Sequence, residues 1–401
     1  MGSTAALPSK GPLYLLAGCH ASLHWVLATF YVLLPFLQRS LGLSYAEAGL
    51  LASVVHFASF ASNIPSGALV DMSGRRVACQ LASLVLAAAA ILALGFSQSF
   101  VMVALMTAII AAMNTLWHPA AISYLSDRYR GQRGLALSFH TVGANIGDAL
   151  APLAIGAVIT LQGWQVATYA AAGPPLVAAL LVALVLNPLR IADAPSNGKA
   201  AAGFRDYFSQ IRAMLRTSGV WVVCALAGLR GTAQVGMRTF VPLFVVNELG
   251  ANAIWVGATL LVFQGAGAIS TPFVGSASDR YGRARVMAIG LSITAVAIAA
   301  LTFATSMSLY LPIVAVVGAS LLSLRAVVQG WALDQTPHEL GGSTISILFT
   351  TQAAFGMAVP VAGGLVADHF GLQTTFRIMA LLAAAAAVAS FWAHRHQQRL
   401  K

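Results

Sequence analysis

The sequence predicts an all-α integral membrane protein with twelve transmembrane helices in two parallel six-helix repeats. Three observations carry that expectation. Of 401 residues, 59% are hydrophobic and 8% charged, against about 25% charged in a soluble chain. The apolar residues come in blocks that reach the roughly 20 helical residues needed to cross a bilayer. Gly, Pro, Asp and Arg positions also recur at one offset between the two halves of the chain. This composition excludes a soluble enzyme of two or three domains.

Twelve spans are read in order at 12–38, 46–70, 77–96, 99–124, 134–160, 164–187, 218–246, 252–277, 286–304, 308–333, 342–366 and 372–393. They are too long and too uniformly apolar for the alternating strands of a barrel. Ahead of the first span lie mostly polar residues and no small-residue cleavage site, so it reads as a retained helix and not a signal peptide. The polar stretch 188–217 separates spans six and seven. Its first part is Pro/Ser/Gly linker chemistry. Its second part places Phe204, Phe208, Ile211 and Leu215 on one face and Arg205, Arg212 and Arg216 elsewhere. That pattern fits a helix lying on the membrane surface, and a simple tether fits as well. The expected organisation is a six-helix half at 1–187, a cytoplasmic linker at 188–217 and a second half at 218–401.

The formal net charge is +11, which in a soluble chain would point to nucleic acid. Here the basic residues follow topology. With a cytoplasmic N-terminus, seventeen Lys and Arg fall in inner loops and tails, and only Arg39 and Arg377 lie at the outer side. Basic residues collect in cytoplasmic loops, so both termini are expected inside, and no nucleic-acid partner is expected. Cys19, Cys79 and Cys224 form no CxxC pair and are odd in number, which fits neither a disulfide framework nor a zinc site. Hydrolase, metalloprotease, P-loop and nucleotide-binding signatures are missing, so no enzyme and no cofactor is expected.

A constant shift of 208 residues without gaps lays Gly49 on Gly257, Gly67 on Gly275, Asp71 on Asp279, Gly74 on Gly282 and Arg75 on Arg283. It also lays Gly134 on Gly342, Ser138 on Ser346, Pro152 on Pro360, Gly156 on Gly364 and Gly163 on Gly371. Six spans per half give both halves one orientation, and a substrate path between such repeats is the expected consequence.

The loop Gly67-Ala-Leu-Val-Asp71-Met-Ser-Gly74-Arg75 and its partner Gly275-Ser-Ala-Ser-Asp279-Arg280-Tyr-Gly282-Arg283 resemble the Gly-x3-Asp-x2-Gly-Arg signature of the major facilitator superfamily. Met72 stands where that signature often has a basic residue. The resemblance covers the whole chain and implies a secondary active transporter. Gly67, Asp71, Gly74, Arg75, Asp279, Gly282 and Arg283 are then expected at a cytoplasmic gate, with Asp127 as the partner of Arg75; the charges could also serve topology alone.

Span 5, Gly143 to Gly156, is similar to the Gly/Pro-rich helix-5 motif of exporters in this superfamily, with Ala151 and Ile155 where the motif prefers Gly. Trp117-His118-Pro119-Ala120, Gly134 to Ser138 and Asn145-x-Gly147 are similar to the fosmidomycin-resistance branch. That branch implies proton-driven export, with an anionic phosphonate as the namesake drug.

Three Arg remain inside spans: Arg230 and Arg238 in span 7 and Arg325 in span 10. Each costs roughly 2.5–3.5 kcal/mol at the bilayer centre, and Asp148 is the only acid away from the ends of a span. Arg230, Gln234 and Arg238 form one stripe at four-residue spacing. The resemblance places spans 1, 4, 7 and 10 around a central cavity, so these stripes are substrate candidates. So are His20, His24 and Tyr31 of span 1, Asn114 and His118 of span 4, Gln264 of span 8 and Gln352 of span 11. Arg238 has a second reading, snorkelling to the interface, and Arg325 a second one, bridging helices near the inner gate.

His56 and His140 read as interhelical hydrogen bonders. No metal site is expected at His20 and His24, because no Cys, Asp or Glu stands near them in the sequence. Asp148, His24 and His118 are the proton-coupling candidates; for Asp148 a fixed interhelical bond is the equal alternative. An Arg-rich, acid-poor cavity favours a small organic anion. The expected protein is a monomeric, proton-coupled transporter of the inner cell membrane that exports such an anion; uptake of the anion with protons and polyspecific drug export are the alternatives, and a receptor or lipid transporter on the same fold is a more distant one.

Overall fold

The computed structural model describes residues 10–186, 218–336 and 341–399. The proposed linker and surface helix at 188–217 lie outside the described residues. Among these residues there are twelve long helices: α1 (Gly11–Leu41), α2 (Tyr45–Ser73), α3 (Arg76–Leu94), α4 (Phe100–Arg128), α5 (Arg133–Gln162) and α6 (Trp164–Leu186), then α7 (Ser218–Asn247), α8 (Ala253–Tyr281), α9 (Arg283–Leu301), α10 (Met307–Asp334), α11 (Gly341–Phe370) and α12 (Leu372–Arg399). Among the described residues there is no strand, and eleven helices are long and apolar enough to cross a membrane. Each helix overlaps one expected span. Many run a few residues further, because a helix continues into the interface where its backbone still needs partners.

Helix starts carry the chemistry that satisfies free N–H groups. Ser44 and Glu47 cap α2 reciprocally: the Glu47 carboxylate accepts from Ser44 N at 2.8 Å, and Ser44 Oγ accepts from Glu47 N at 3.1 Å. Ser99 caps α4 by accepting from Met102 N at 3.3 Å, and Asn252 caps α8.

Glycines at positive φ mark the repeat: Gly42 with Gly250, Gly74 with Gly282 and Gly163 with Gly371. All three pairs keep the 208-residue shift. The shift is not constant, however. Helix α3 starts at Arg76 and α9 at Arg283, a shift of 207, because the turn after α2 holds Gly74 and Arg75 where the turn after α8 holds Gly282 alone. The gap-free alignment is thereby corrected: α3 and α4 match α9 and α10 one residue closer. The matched Gly and Pro positions all lay outside those helices, so the sequence carried no signal of the gap.

The chain divides into two compact units, residues 1–30 with 58–198 and residues 31–57 with 199–401. In the first, α3 packs on α4 and α6, and α5 on α4 and α6, around Leu16, Leu23, Leu84, Trp117, Leu125 and Val182. In the second, α10 packs on α7, α8 and α9, while α9 meets α12 and α7 meets α11. Its core holds Met287, Leu291, Leu324, Val327, Trp331 and Leu348.

The second unit takes in the end of α1 and the start of α2, and polar contacts explain why. Arg39 donates to the Val246 carbonyl at 2.8 Å and to Asn247 at 3.1 Å. Asn247 in turn donates to Gln38 at 2.9 Å. The Asp368 carboxylate accepts from Tyr45 N and Ala46 N at 2.7 and 2.9 Å, which places an anion at the positive start of α2.

Close approach of helices rests on small residues. A methyl group added at Gly143 or Gly147 of α5 would overlap the backbone carbonyl oxygen of Ala17 or Ala21 of α1. Gly18 faces open space. Gly147→Ala is therefore expected to destabilise by about 1–3 kcal/mol through overpacking, while Gly18→Ala leaves stability equal or higher. Thermal unfolding of the two variants in one detergent checks the contrast.

Candidate functional site

In the first unit the α1–α5 contact gathers a cluster of imidazoles. Helix α1 presents His20 and His24 one turn apart, α4 presents Asn114 and His118 likewise, and α5 contributes His140 and Asp148. His20 Nδ1 donates to the His140 carbonyl at 2.7 Å, and the two rings stack with centroids 3.7 Å apart. Trp117 Nε1 donates to His140 Nε2 at 3.0 Å, and His118 Nδ1 donates to the Asn114 carbonyl at 2.8 Å. Carbonyl acceptors assign the tautomers: His20 and His118 carry their proton on Nδ1, which makes Nε2 the electron-pair donor of each ring. His140 is in the same tautomer, since its Nε2 accepts from Trp117.

His24 Nδ1 lies 3.3 Å from Asp148 Oδ1, within ion-pairing reach, though outside hydrogen-bond geometry. The expectation that no acid stands near the His20/His24 pair is thus overturned: Asp148 is distant from His24 in the chain and beside it in the fold. His20 is 3% exposed, and its Nε2 has no partner among the described residues.

In the second unit Arg230 is 1% exposed. Its guanidinium donates to Gln234 at 2.8 Å, to Gln352 at 3.0 Å and, weakly, to the Leu321 carbonyl at 3.4 Å. Every partner among the described residues is neutral. A buried cation without a carboxylate is costly, and here three carbonyl-type oxygens hold it without cancelling its charge. Nε of Arg230 and Nε2 of Gln352 are buried without partners among the described residues. The sequence stripe is seen for Arg230 and Gln234, which bond across one turn.

Arg238 instead stacks over Tyr31, 5.1 Å from the ring centroid, and Arg325 lies 5.9 Å from the centroid of Phe349; both contacts are of cation–π type. Gln264 is half-buried on α8. Arg230, Gln234 and Gln352 are therefore one hydrogen-bonded group, and Arg238 with Tyr31 is another pair. Trp117, which fixes His140, belongs to the Trp-His-Pro-Ala motif, and its place one residue before His118 is the sequence signal that marks it as a neighbour of the cluster.

The Gly-Asp-Gly-Arg turns hold ion pairs, with one correction. Asp127 pairs with Arg76 and not with Arg75. In the second half Arg283 bonds Asp334 at 3.0 Å, Asp279 one turn back and Ser278. Arg76–Asp127 and Arg283–Asp334 are each separated by 51 residues, so they are equivalents in the repeat. The extra residue of the first turn shifts the role from Arg75, which precedes α3, to Arg76, its first residue. Asp71 is exposed.

Comparison with known proteins agrees with this architecture. The family model of the Major Facilitator Superfamily matches residues 16–275 and 239–401. The chain belongs to that superfamily. It is thus a multi-pass membrane transporter and not an enzyme. It is 26% identical over 379 residues to the uncharacterized MFS-type transporter YfnC of Bacillus subtilis, covering 92% of this chain and 90% of that one. It is 27% identical over 168 residues to the multidrug resistance protein MdtG of Salmonella choleraesuis, a match spanning 40% of each. In fold it is similar to a bacterial homolog of the human lysosomal transporter Spinster, with a TM-score of 0.81, 16% identity and coverage of 96% of this chain and 98% of that one. It is similar also to the nucleoside transporter NupG, with a TM-score of 0.73, 15% identity and coverage of 94% and 98%.

The Arg230 group makes a stability prediction. Gln352→Leu removes a hydrogen bond to a buried charge and is expected to cost about 1.5–3 kcal/mol. Gln352→Glu supplies a counter-charge and is expected to be at least as stable as the parent. Thermal unfolding of both variants checks the sign difference.

Proposed function

We propose that this superfamily member is a proton-coupled secondary active transporter that exports a small organic anion, phosphonate- or carboxylate-like, by alternating access. The observation that carries the reading is Arg230: a guanidinium 1% exposed whose hydrogen-bond partners are all neutral oxygens, in a chain with Asp148 as its single mid-helix acid. Its positive field is held in place and not quenched, which favours an anion and disfavours a cation. Gln234 and Gln352 fix the guanidinium from two sides, and Gln352 Nε2 adds a buried donor without a partner among the described residues. Arg238, Arg325, Tyr31 and Gln264 are the further candidates on the same unit, as are His20, His24, Asn114 and His118 on the first.

Coupling is assigned to the His24–Asp148 pair, with His118 beside it. The pair joins an imidazole to a carboxylate 3.3 Å away, so a proton gained or lost there changes the charge of the cluster and favours one conformation over another. Export is favoured by the helix-5 motif and by the likeness to MdtG, whose name denotes multidrug resistance. That likeness also supports a second reading, a polyspecific drug exporter. Uptake of an anion with protons is the remaining alternative. Seventeen basic residues on one side against two on the other support cytoplasmic termini and residence in the inner cell membrane, and the protein is proposed to work as a monomer in the lipid bilayer.

The test uses proteoliposomes with an imposed pH gradient and labelled phosphonate, carboxylate and cationic drug. Anion flux is expected to follow the gradient. Arg230→Ala is expected to reduce it at least tenfold, and Asp148→Asn to abolish its dependence on the gradient while exchange persists. Intact anion transport in both variants would reject the assignment, and flux of the cation alone would favour the drug-export reading.

A further inference from the structure

We infer that His20, His24 and His118 form a binding site for one divalent transition-metal ion of the zinc, cobalt or nickel class. Three observations converge. One ring nitrogen from each of the three histidines lies within 4.8 Å of the others. The buried Nε2 of His20 has no partner among the described residues, although buried polar atoms are nearly always satisfied. And two of the rings are held by hydrogen bonds to carbonyls, His20 Nδ1 by that of His140 and His118 Nδ1 by that of Asn114, while the Asp148 carboxylate lies 3.3 Å from His24 Nδ1 without hydrogen-bond geometry.

That last arrangement is what a metal-ligating imidazole requires. Its other nitrogen donates to a carbonyl or carboxylate, which fixes the tautomer and strengthens the ligand. A proton relay would need neither three convergent rings nor rings fixed in one tautomer by carbonyls.

The donor set selects the ion. Three imidazoles suit zinc, cobalt, nickel or copper, whereas magnesium and calcium seek oxygen. Zinc sits about 2.0–2.1 Å from each nitrogen, which in a tetrahedron sets the nitrogens about 3.4 Å apart, so binding would draw together rings whose nitrogens now lie within 4.8 Å of one another. The fourth position stays open, the arrangement of sites that bind water or substrate rather than of structural zinc. His140 is excluded as a ligand because its Nε2 already accepts from Trp117. The inference does not rest on anion transport, although a metal and a coupling proton would compete for the same rings.

The test is direct binding to the full-length protein, purified without a polyhistidine tag and held in lipid nanodiscs. Cobalt(II) is expected to bind at one per chain with the strong visible absorption of four-coordinate cobalt, to be displaced by zinc and to be unaffected by magnesium. His20→Gln and His118→Gln are expected to weaken zinc binding by more than 100-fold. Asp148→Asn, which removes only the carboxylate beside His24, should weaken it by roughly 10–100-fold and keep the one-to-one ratio. His56→Gln, in the second unit, should change nothing. Absence of one-to-one cobalt binding by the parent chain, or zinc binding that survives in the His20→Gln, His118→Gln double variant, would overturn the inference. Neither result depends on any transport assay, so the site and the anion reading are judged apart.

Discussion

A bilayer core solvates no polar group, and that constraint organises the molecule at every level. It makes every span a helix, since only a helix satisfies its backbone from within a single segment. It also forces each polar side chain in a span toward another protein group. Gln80 Nε2 donates to the Ala120 carbonyl at 3.1 Å, and Thr294 meets Ser320 at 2.8 Å. Arg230 meets two glutamines and a carbonyl. The same constraint makes an orphaned atom such as His20 Nε2 informative, because nothing in the surrounding hydrocarbon would satisfy it.

The two repeats use one scaffold for different chemistry. At the 207-residue shift of α4 onto α10, His118 corresponds to Arg325, and Asn114 to Leu321. The Asn114 carbonyl accepts from His118, whereas the Leu321 carbonyl accepts from Arg230. One backbone position thus supports an imidazole in the first unit and a guanidinium in the second. The first unit gathers imidazoles beside a carboxylate, and the second holds a guanidinium among neutral oxygens.

Much of the candidate site was legible before any coordinates. The Arg230–Gln234 stripe follows from helical spacing, and the mid-span position of Asp148 follows from counting acids. Helix number, span positions and the two signature turns were equally plain, because hydropathy and Gly spacing are local properties. Pairings across helices were not legible. Asp127 chose Arg76 over its neighbour because one inserted residue at a turn rotates the start of α3, and rotation is invisible to a residue count. Asp148 reached His24 through the glycine-lined approach of α5 to α1.

The sequence by itself determined that this chain is a twelve-helix membrane protein of two parallel repeats with three arginines and one acid away from the ends of its spans. Those are consequences of composition and periodicity, which act residue by residue. The tertiary structure decided which polar groups meet: Gln352 with Arg230, His24 with Asp148, and three imidazoles with one another. Such contacts depend on how closely and at what rotation two helices pack, and that is set by small residues and single-residue gaps distributed over the whole bundle.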